Sequence, residues 1–98
     1  MRKAITKEQV QRLHDNHVRV KLIDIRSTAE HEKLHIPGAL NIPSENLSKQ
    51  LETFSKDETI VCICNHGKDR SQQAADLFSN AGFKNTYYLE RGTAGWYL

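Results

Sequence analysis

Thr59 to Cys64, Thr-Ile-Val-Cys-Ile-Cys, is the most apolar run in the chain, and it stops abruptly at Asn65-His66-Gly67-Lys68-Asp69-Arg70. A short, continuously apolar run bounded by polar residues is the pattern of a central strand covered on both faces, as in a parallel sheet. A helix is expected to begin near Ser71, with Ala74, Ala75, Leu77, Phe78 and Ala81 on one face and Gly82 as its stop. Strand, tight polar loop and helix in that order commit the chain to an α/β architecture.

The remaining segments fit the same plan. Thr6 and Gln9 have the spacing of a capping box, with Ile5 and Val10 as a hydrophobic staple, so a helix is expected over 7–15 with Val10 and Leu13 inward. Val18 to Ile25 alternates and then becomes almost wholly apolar, which predicts a second covered strand. Glu30 to Lys33 can form a turn or two of helix before Pro37-Gly38, and Ala39 to Ile42 reads as a short strand closed by Pro43. Ser44 is placed to cap a helix carrying Leu47, Leu51 and Phe54. Thr86 to Leu89 reads as a further strand, and Gly92 to Trp96 as a turn with an aromatic plug. Alternating strands and helices predict a mostly parallel central sheet with helices on both faces.

Ninety-eight residues suit one domain, 1–98, with one modest core. A net charge of +2 is too small to point to nucleic acid or a membrane surface as partner. No run approaches the roughly 18 apolar residues of a membrane span. The segment Met1 to Lys7 lacks the apolar stretch of a secretory signal. Cys62 and Cys64 share a strand face two residues apart, too far for an easy disulfide. Free thiols suit a reducing compartment, so the expected location is cytoplasmic.

The chemistry is expected at Cys64. Ligands collect beyond the C-terminal ends of strands in an α/β sheet, and Cys64 ends the apolar strand. The loop Asn65 to Arg70 leads into a helix N-terminus, where converging amide N–H groups and the helix dipole favour an anion and lower a thiol pKa. Gly67 allows the positive φ that a tight cradle requires, and Lys68 and Arg70 add positive charge. A thiolate in that setting is a nucleophile. Cys62, inside the apolar run, reads as structural rather than as a resolving thiol.

Asp24-Ile25-Arg26, Glu30, His35-Ile36-Pro37-Gly38-Ala39 and Asn41-Ile42-Pro43 resemble the first half of a rhodanese domain. Ile60 to Cys64, Arg70-Ser71, Ala74-Ala75, Leu77, Gly82-Phe83, Gly92 and Trp96 resemble its second half, so the likeness covers about 18–96. The resemblance implies a rhodanese-like three-layer fold. It also implies a sulfurtransferase in which Cys64 takes a sulfane sulfur as a persulfide, with no further cofactor and no metal, and passes it to a nucleophile. The implied partners are a small sulfur-containing anion or a protein persulfide, and a protein sulfur acceptor.

Three positions depart from the family pattern. Leu34 replaces a glycine before the His-Ile-Pro-Gly motif, and Arg91 replaces the first glycine of a Gly-Gly pair. Cys64 to Arg70 spans seven residues, where sulfur-carrying rhodaneses usually have six. That length resembles the Cys-dependent phosphatases and arsenate reductases of the same fold, whose wider amide ring fits a tetrahedral oxyanion. Gly67-Lys68-Asp69 before Ser71-Gln72 also resembles some sulfur-transfer loops with Arg70 inserted. A non-catalytic binding or redox-sensing module is the third reading.

Within the loop, Cys64 and Arg70 are the expected catalytic residues, and Asn65, His66, Gly67, Lys68, Asp69 and Ser71 the substrate-binding ones. Asp69 is either a general acid or a surface partner for Lys68 or Arg70. Ser71 is a helix N-cap in preference to a stabiliser of the thiolate. His66 either touches substrate or is solvated. Asp24, Arg26 and Glu30 are expected to form a supporting ionic cluster, and Trp96, Tyr87 and Tyr88 to pack. His31-Glu32-Lys33-Leu34-His35 satisfies the zinc-protease pattern His-Glu-x-x-His, but Pro37 follows too closely and no third ligand does, so zinc is rejected.

Overall fold

In the computed structural model, which describes residues 3–98, the continuously apolar run is the middle of a five-stranded sheet. Met1 and Arg2, the start of the segment read as lacking a secretory signal, lie outside the described residues. The strands are β1 (Ala4–Ile5), β2 (Val20–Asp24), β3 (Leu40–Asn41), β4 (Thr59–Ile63) and β5 (Asn85–Leu89). They lie in the order β1-β5-β4-β2-β3, and every pairing is parallel. β4 is flanked on both sides, with Cys62 opposite Ile23 of β2 and Tyr88 of β5.

Alternation along β4 explains why it has no polar face. Ile60 and Cys62 face a cluster with Ala74, Ala75 and Phe78 of helix α4 (Asp69–Asn80), whereas Val61 and Ile63 face a cluster holding Val10 and Trp96. Val10 belongs to α1 (Lys7–Asp15) and Trp96 to α5 (Gly92–Trp96). Helices therefore cover both faces, the three-layer arrangement of a rhodanese-like α/β fold. None among the described residues is long and apolar enough to cross a membrane.

The capping box at Thr6 is formed in both directions, and α1 begins and ends as its sequence predicts. A second capping box, Ser27 with Glu30, starts α2 (Thr28–Lys33) after a three-residue link from β2, earlier than the Glu30 start expected from the sequence. Ser44 does not cap a continuous helix. Pro43 holds the cap position without a side-chain bond, and the segment breaks into 3₁₀ turns (Ser44–Asn46, Leu51–Thr53) around a short α3 (Leu47–Gln50). Leu47 is buried, and Leu51 and Phe54 pack against the same core. The tail is a turn and a half of helix, α5, rather than a turn. Its Trp96 carbonyl accepts a 2.6 Å bond from Lys7 Nζ, which also lies 5.2 Å from the indole centre.

Candidate functional site

β4 ends at Ile63, so Cys64 is the first residue beyond the sheet at its C-terminal edge. α4 begins at Asp69, two residues earlier than its apolar pattern suggests, with Lys68 at the N-cap. The non-helical loop is therefore Cys64 to Lys68, and Asp69 and Arg70 open the helix. Ser71 is the third helical residue and not the N-cap. It is fully buried, with its Oγ 3.1 Å from Cys64 Sγ and donating at 3.1 Å to the Lys68 carbonyl. The favoured reading of Ser71 as a cap is thus replaced by direct contact with the thiol.

Two glycines let the chain close around this point. Gly67 has φ +70, and a β-carbon there would come within 2.5 Å of Leu89 O and 2.6 Å of Arg91 N. Gly92 has φ +58, and a β-carbon would overlap the Cys64 and Asn65 carbonyls. The start of α5 can therefore lie against the loop, where Thr93 N donates to Cys64 O at 2.9 Å and Ala94 N to Asn65 O at 3.0 Å. Any side chain at either position would push the loop off the sheet end.

Burial of Cys64 opposes ionisation, yet the Ser71 hydroxyl and the amides of Ser71, His66 and Lys68, all aimed at the sulfur, outweigh it and bring its pKa below the ordinary thiol value. Cys62 is the opposite case. Burial, and then the charge of Cys64, push its thiol far up, so it stays protonated inside the core. Two cysteines two residues apart are thus separated by environment alone.

The ionic cluster expected of Asp24, Arg26 and Glu30 reaches the loop. Asp24 is fully buried and accepts from Arg26 Nε at 2.9 Å, from Arg26 Nη2 at 2.8 Å and from the Arg26 amide at 3.1 Å. Arg26 also donates to Leu34 O at 2.6 Å and to Asn65 Oδ1 at 3.1 Å, and Asn65 Nδ2 donates to Glu30 Oε2 at 2.9 Å. Asn65 therefore holds the loop entrance and has its side chain committed to Arg26 and Glu30. His31 joins the cluster through Nδ1, 2.8 Å from Asp24 Oδ2. Its spacing from Asp24 does not predict this contact; the Ser27–Glu30 capping box is the sequence signal that sets how α2 begins beyond the strand end.

His66, Lys68, Asp69 and Arg70 are exposed around the loop mouth. Arg70 Nη1 lies 3.9 Å from Glu30 Oε1, with its side chain about half exposed at 48 %. Tyr87 and Tyr88 are half-buried against opposite faces of the sheet and not at the loop. The helix bearing His31 ends at Lys33, so His35 lies outside it. The departure at Leu34 is harmless: its backbone is extended (φ −163), and its side chain is exposed. Arg91 does occupy a glycine-type conformation, at φ +70.

The family model "Rhodanese-like domain" matches residues 6–98. The chain is 35% identical over 78 residues to the thiosulfate sulfurtransferase GlpE of Shewanella oneidensis, covering 80% of this chain and 76% of the relative. It is 32% identical over 82 residues to the "Putative sulfur carrier protein YrkF" of Bacillus subtilis, covering 84% of this chain and 44% of that protein, so it spans less than half of that relative. Among solved structures, a rhodanese-related protein of Thermoplasma volcanium superposes with TM-score 0.81 at 26% identity, over 97% of this chain and 90% of that one. RPA3614 of Rhodopseudomonas palustris, described as a possible tyrosine phosphatase, superposes with TM-score 0.85 at 25% identity, over 98% and 80% respectively.

Proposed function

The chain belongs to the rhodanese-like domain family, and from that membership we propose that it is a single-domain sulfurtransferase working through a persulfide on Cys64. The observation that carries this reading is the Cys64 sulfur facing the Ser71 hydroxyl and the amides of His66, Lys68 and Ser71. Those donors stabilise the attacking thiolate, and the same thiolate when it leaves as the sulfur is passed on.

The Cys64 thiolate attacks the outer sulfur of thiosulfate. The S–S bond of thiosulfate breaks, sulfite departs with the electron pair, and the sulfur stays on Cys64 as a persulfide anion. A thiolate or cyanide then attacks that sulfur and regenerates the Cys64 thiolate. Lys68 and Arg70, exposed at the loop mouth, attract the anionic donor. No cofactor is required for either step.

The test is intact mass after thiosulfate treatment. One added sulfur on the wild type and none on Cys64→Ser is expected, together with thiocyanate when cyanide is supplied. Absence of both the adduct and thiocyanate overturns the reading.

One observation favours a second reading, a Cys-dependent phosphatase or arsenate reductase: seven residues separate Cys64 from Arg70 inclusive, and Arg70 lies in the first turn of α4. A structural neighbour described as a possible tyrosine phosphatase shares the fold. Turnover of an aryl phosphate, lost in Arg70→Ala, distinguishes this chemistry from sulfur transfer.

A further inference from the structure

Asp24 Oδ2 is shared between two donors, Arg26 Nη2 and His31 Nδ1, each at 2.8 Å. A carboxylate oxygen only accepts, so Nδ1 of His31 carries its hydrogen, and the ring orientation is set. His35 fixes the ring from the other side. The two imidazoles stack with centroids 4.0 Å apart and planes 15° from parallel, and His35 Nδ1 lies 2.8 Å from the His31 carbonyl. Next to this pair, Arg26 is bonded to Asn65, the residue immediately after Cys64, and its guanidinium is close enough to Cys64 for the two charges to stabilise each other.

We propose that His31 is a positioning residue for Cys64, acting through Asp24, Arg26 and Asn65. The His31 donor keeps the Asp24 carboxylate in the one orientation that grips Arg26 at both Nε and Nη2. A gripped Arg26 directs Nη1 to Asn65 and keeps its positive charge beside the sulfur. Loss of the His31 donor leaves Oδ2 with one partner and lets the carboxylate turn, so that Arg26 and the loop entrance lose their fixed geometry. His31 touches neither the sulfur nor its ligands, and its effect is on thiolate reactivity.

This inference rests on Cys64 being an activated thiol, and its test reads that thiol without any sulfur donor. The rate of Cys64 alkylation by iodoacetamide is measured on the folded full chain, beside thermal unfolding. His31→Phe keeps a ring for the stack and removes the donor, and is expected to react about fivefold more slowly. His31→Asn restores an N–H near the Nδ1 position and is expected to stay within about twofold of wild type. His35→Ala, at an exposed residue, removes the stack and the contact with the His31 carbonyl while leaving the His31 donor, and is expected to slow the reaction about twofold.

Wild-type rates in His31→Phe, or equal slowing in a folded His31→Phe and His31→Asn, overturn the proposal, because a hydrogen bond would then not be the cause. If His31→Phe does not fold, His35→Ala decides, and a wild-type rate there overturns it. A wild-type Cys64 no faster than the same thiol in urea-unfolded chain refutes the activated cysteine itself, and with it both the proposed function and this inference. A reactive Cys64 that accepts no sulfur refutes the function alone.

Discussion

Ser71 Oγ lies 3.1 Å from Cys64 Sγ, and its own hydrogen is directed 3.1 Å away to the Lys68 carbonyl. With the thiol protonated, the S–H donates to the hydroxyl; with the thiol ionised, the hydroxyl turns and donates to the sulfur. Ser71→Ala removes this response and raises the Cys64 pKa. Alkylation near neutral pH is expected to slow several-fold and to recover toward wild type in alkaline solution. The folded pKa of Cys64 is below its ordinary 9.0, so its ionisation contributes stability that is complete above pH 9.0 and lost as pH falls through the folded value. Wild type should therefore gain stability over Cys64→Ala as pH rises toward 9, followed by urea unfolding.

Cys62 and Cys64 should separate completely in a labelling experiment. Iodoacetamide is expected to modify only Cys64 in the folded chain and both cysteines in urea, read by peptide mass. Cys62→Ala should leave the Cys64 rate unchanged and cost about 1 kcal/mol, the usual scale for removing one buried heavy atom.

The Asp24–Arg26 pair predicts the acid limit of the fold. Burial opposes the Asp24 charge, but hydrogen bonds from Arg26 and His31 outweigh it and hold its pKa below the ordinary 3.8. The stabilisation is thus complete above pH 3.8 and lost as pH falls through the lower folded value. Asp24→Asn leaves Arg26 buried without its counter-charge and is expected to cost about 3–5 kcal/mol at neutral pH. That deficit should shrink below pH 3.8, as followed by acid unfolding.

Arg70 should matter for donor binding and hardly at all for stability. Its contact with Glu30 is long, at 3.9 Å, and about half exposed. Arg70→Ala is expected to change stability by less than about 1 kcal/mol. Its KM for thiosulfate should rise, with kcat little changed, in steady-state thiocyanate formation.

Positions 67 and 91 should respond in opposite directions. Gly67→Ala combines positive φ with a backbone clash, and a loss above about 2 kcal/mol is expected, with a slower Cys64. Arg91 holds a left-handed conformation without being glycine. Arg91→Gly removes a strain of about 1 kcal/mol, offset in part by the greater freedom of glycine when unfolded, so Tm should be unchanged or slightly higher.

The sheet and the position of Cys64 were legible because both follow from local pattern. A six-residue apolar run ending in Asn-His-Gly can hardly be anything but a covered strand meeting a loop. The helix start was missed because Asp69 and Arg70 carry no apolar signal and point outward, so only Ser71 marked the buried face. Ser71 itself was misread for the same reason: its local role as a cap is common, and its contact with Cys64 appears only once α4 starts two residues earlier. The Asp24–Arg26 cluster was expected, but its extension through Arg26 to Asn65 joins residues 39 positions apart. Nothing in spacing along the chain encodes such a contact.

Among the described residues β1 lies at one edge and pairs with β5, and Thr93 and Ala94 supply the hydrogen bonds that seat the Cys64 and Asn65 carbonyls. During synthesis, therefore, the thiol is made long before the segment that shapes its surroundings. A nascent chain stopped before residue 92 contains Cys64 but lacks the strut beneath it. Ser71, His66 and Lys68, which favour the thiolate, are therefore made before the two amides that seat the loop carbonyls, and the cradle's geometry is the last part of the site to be completed.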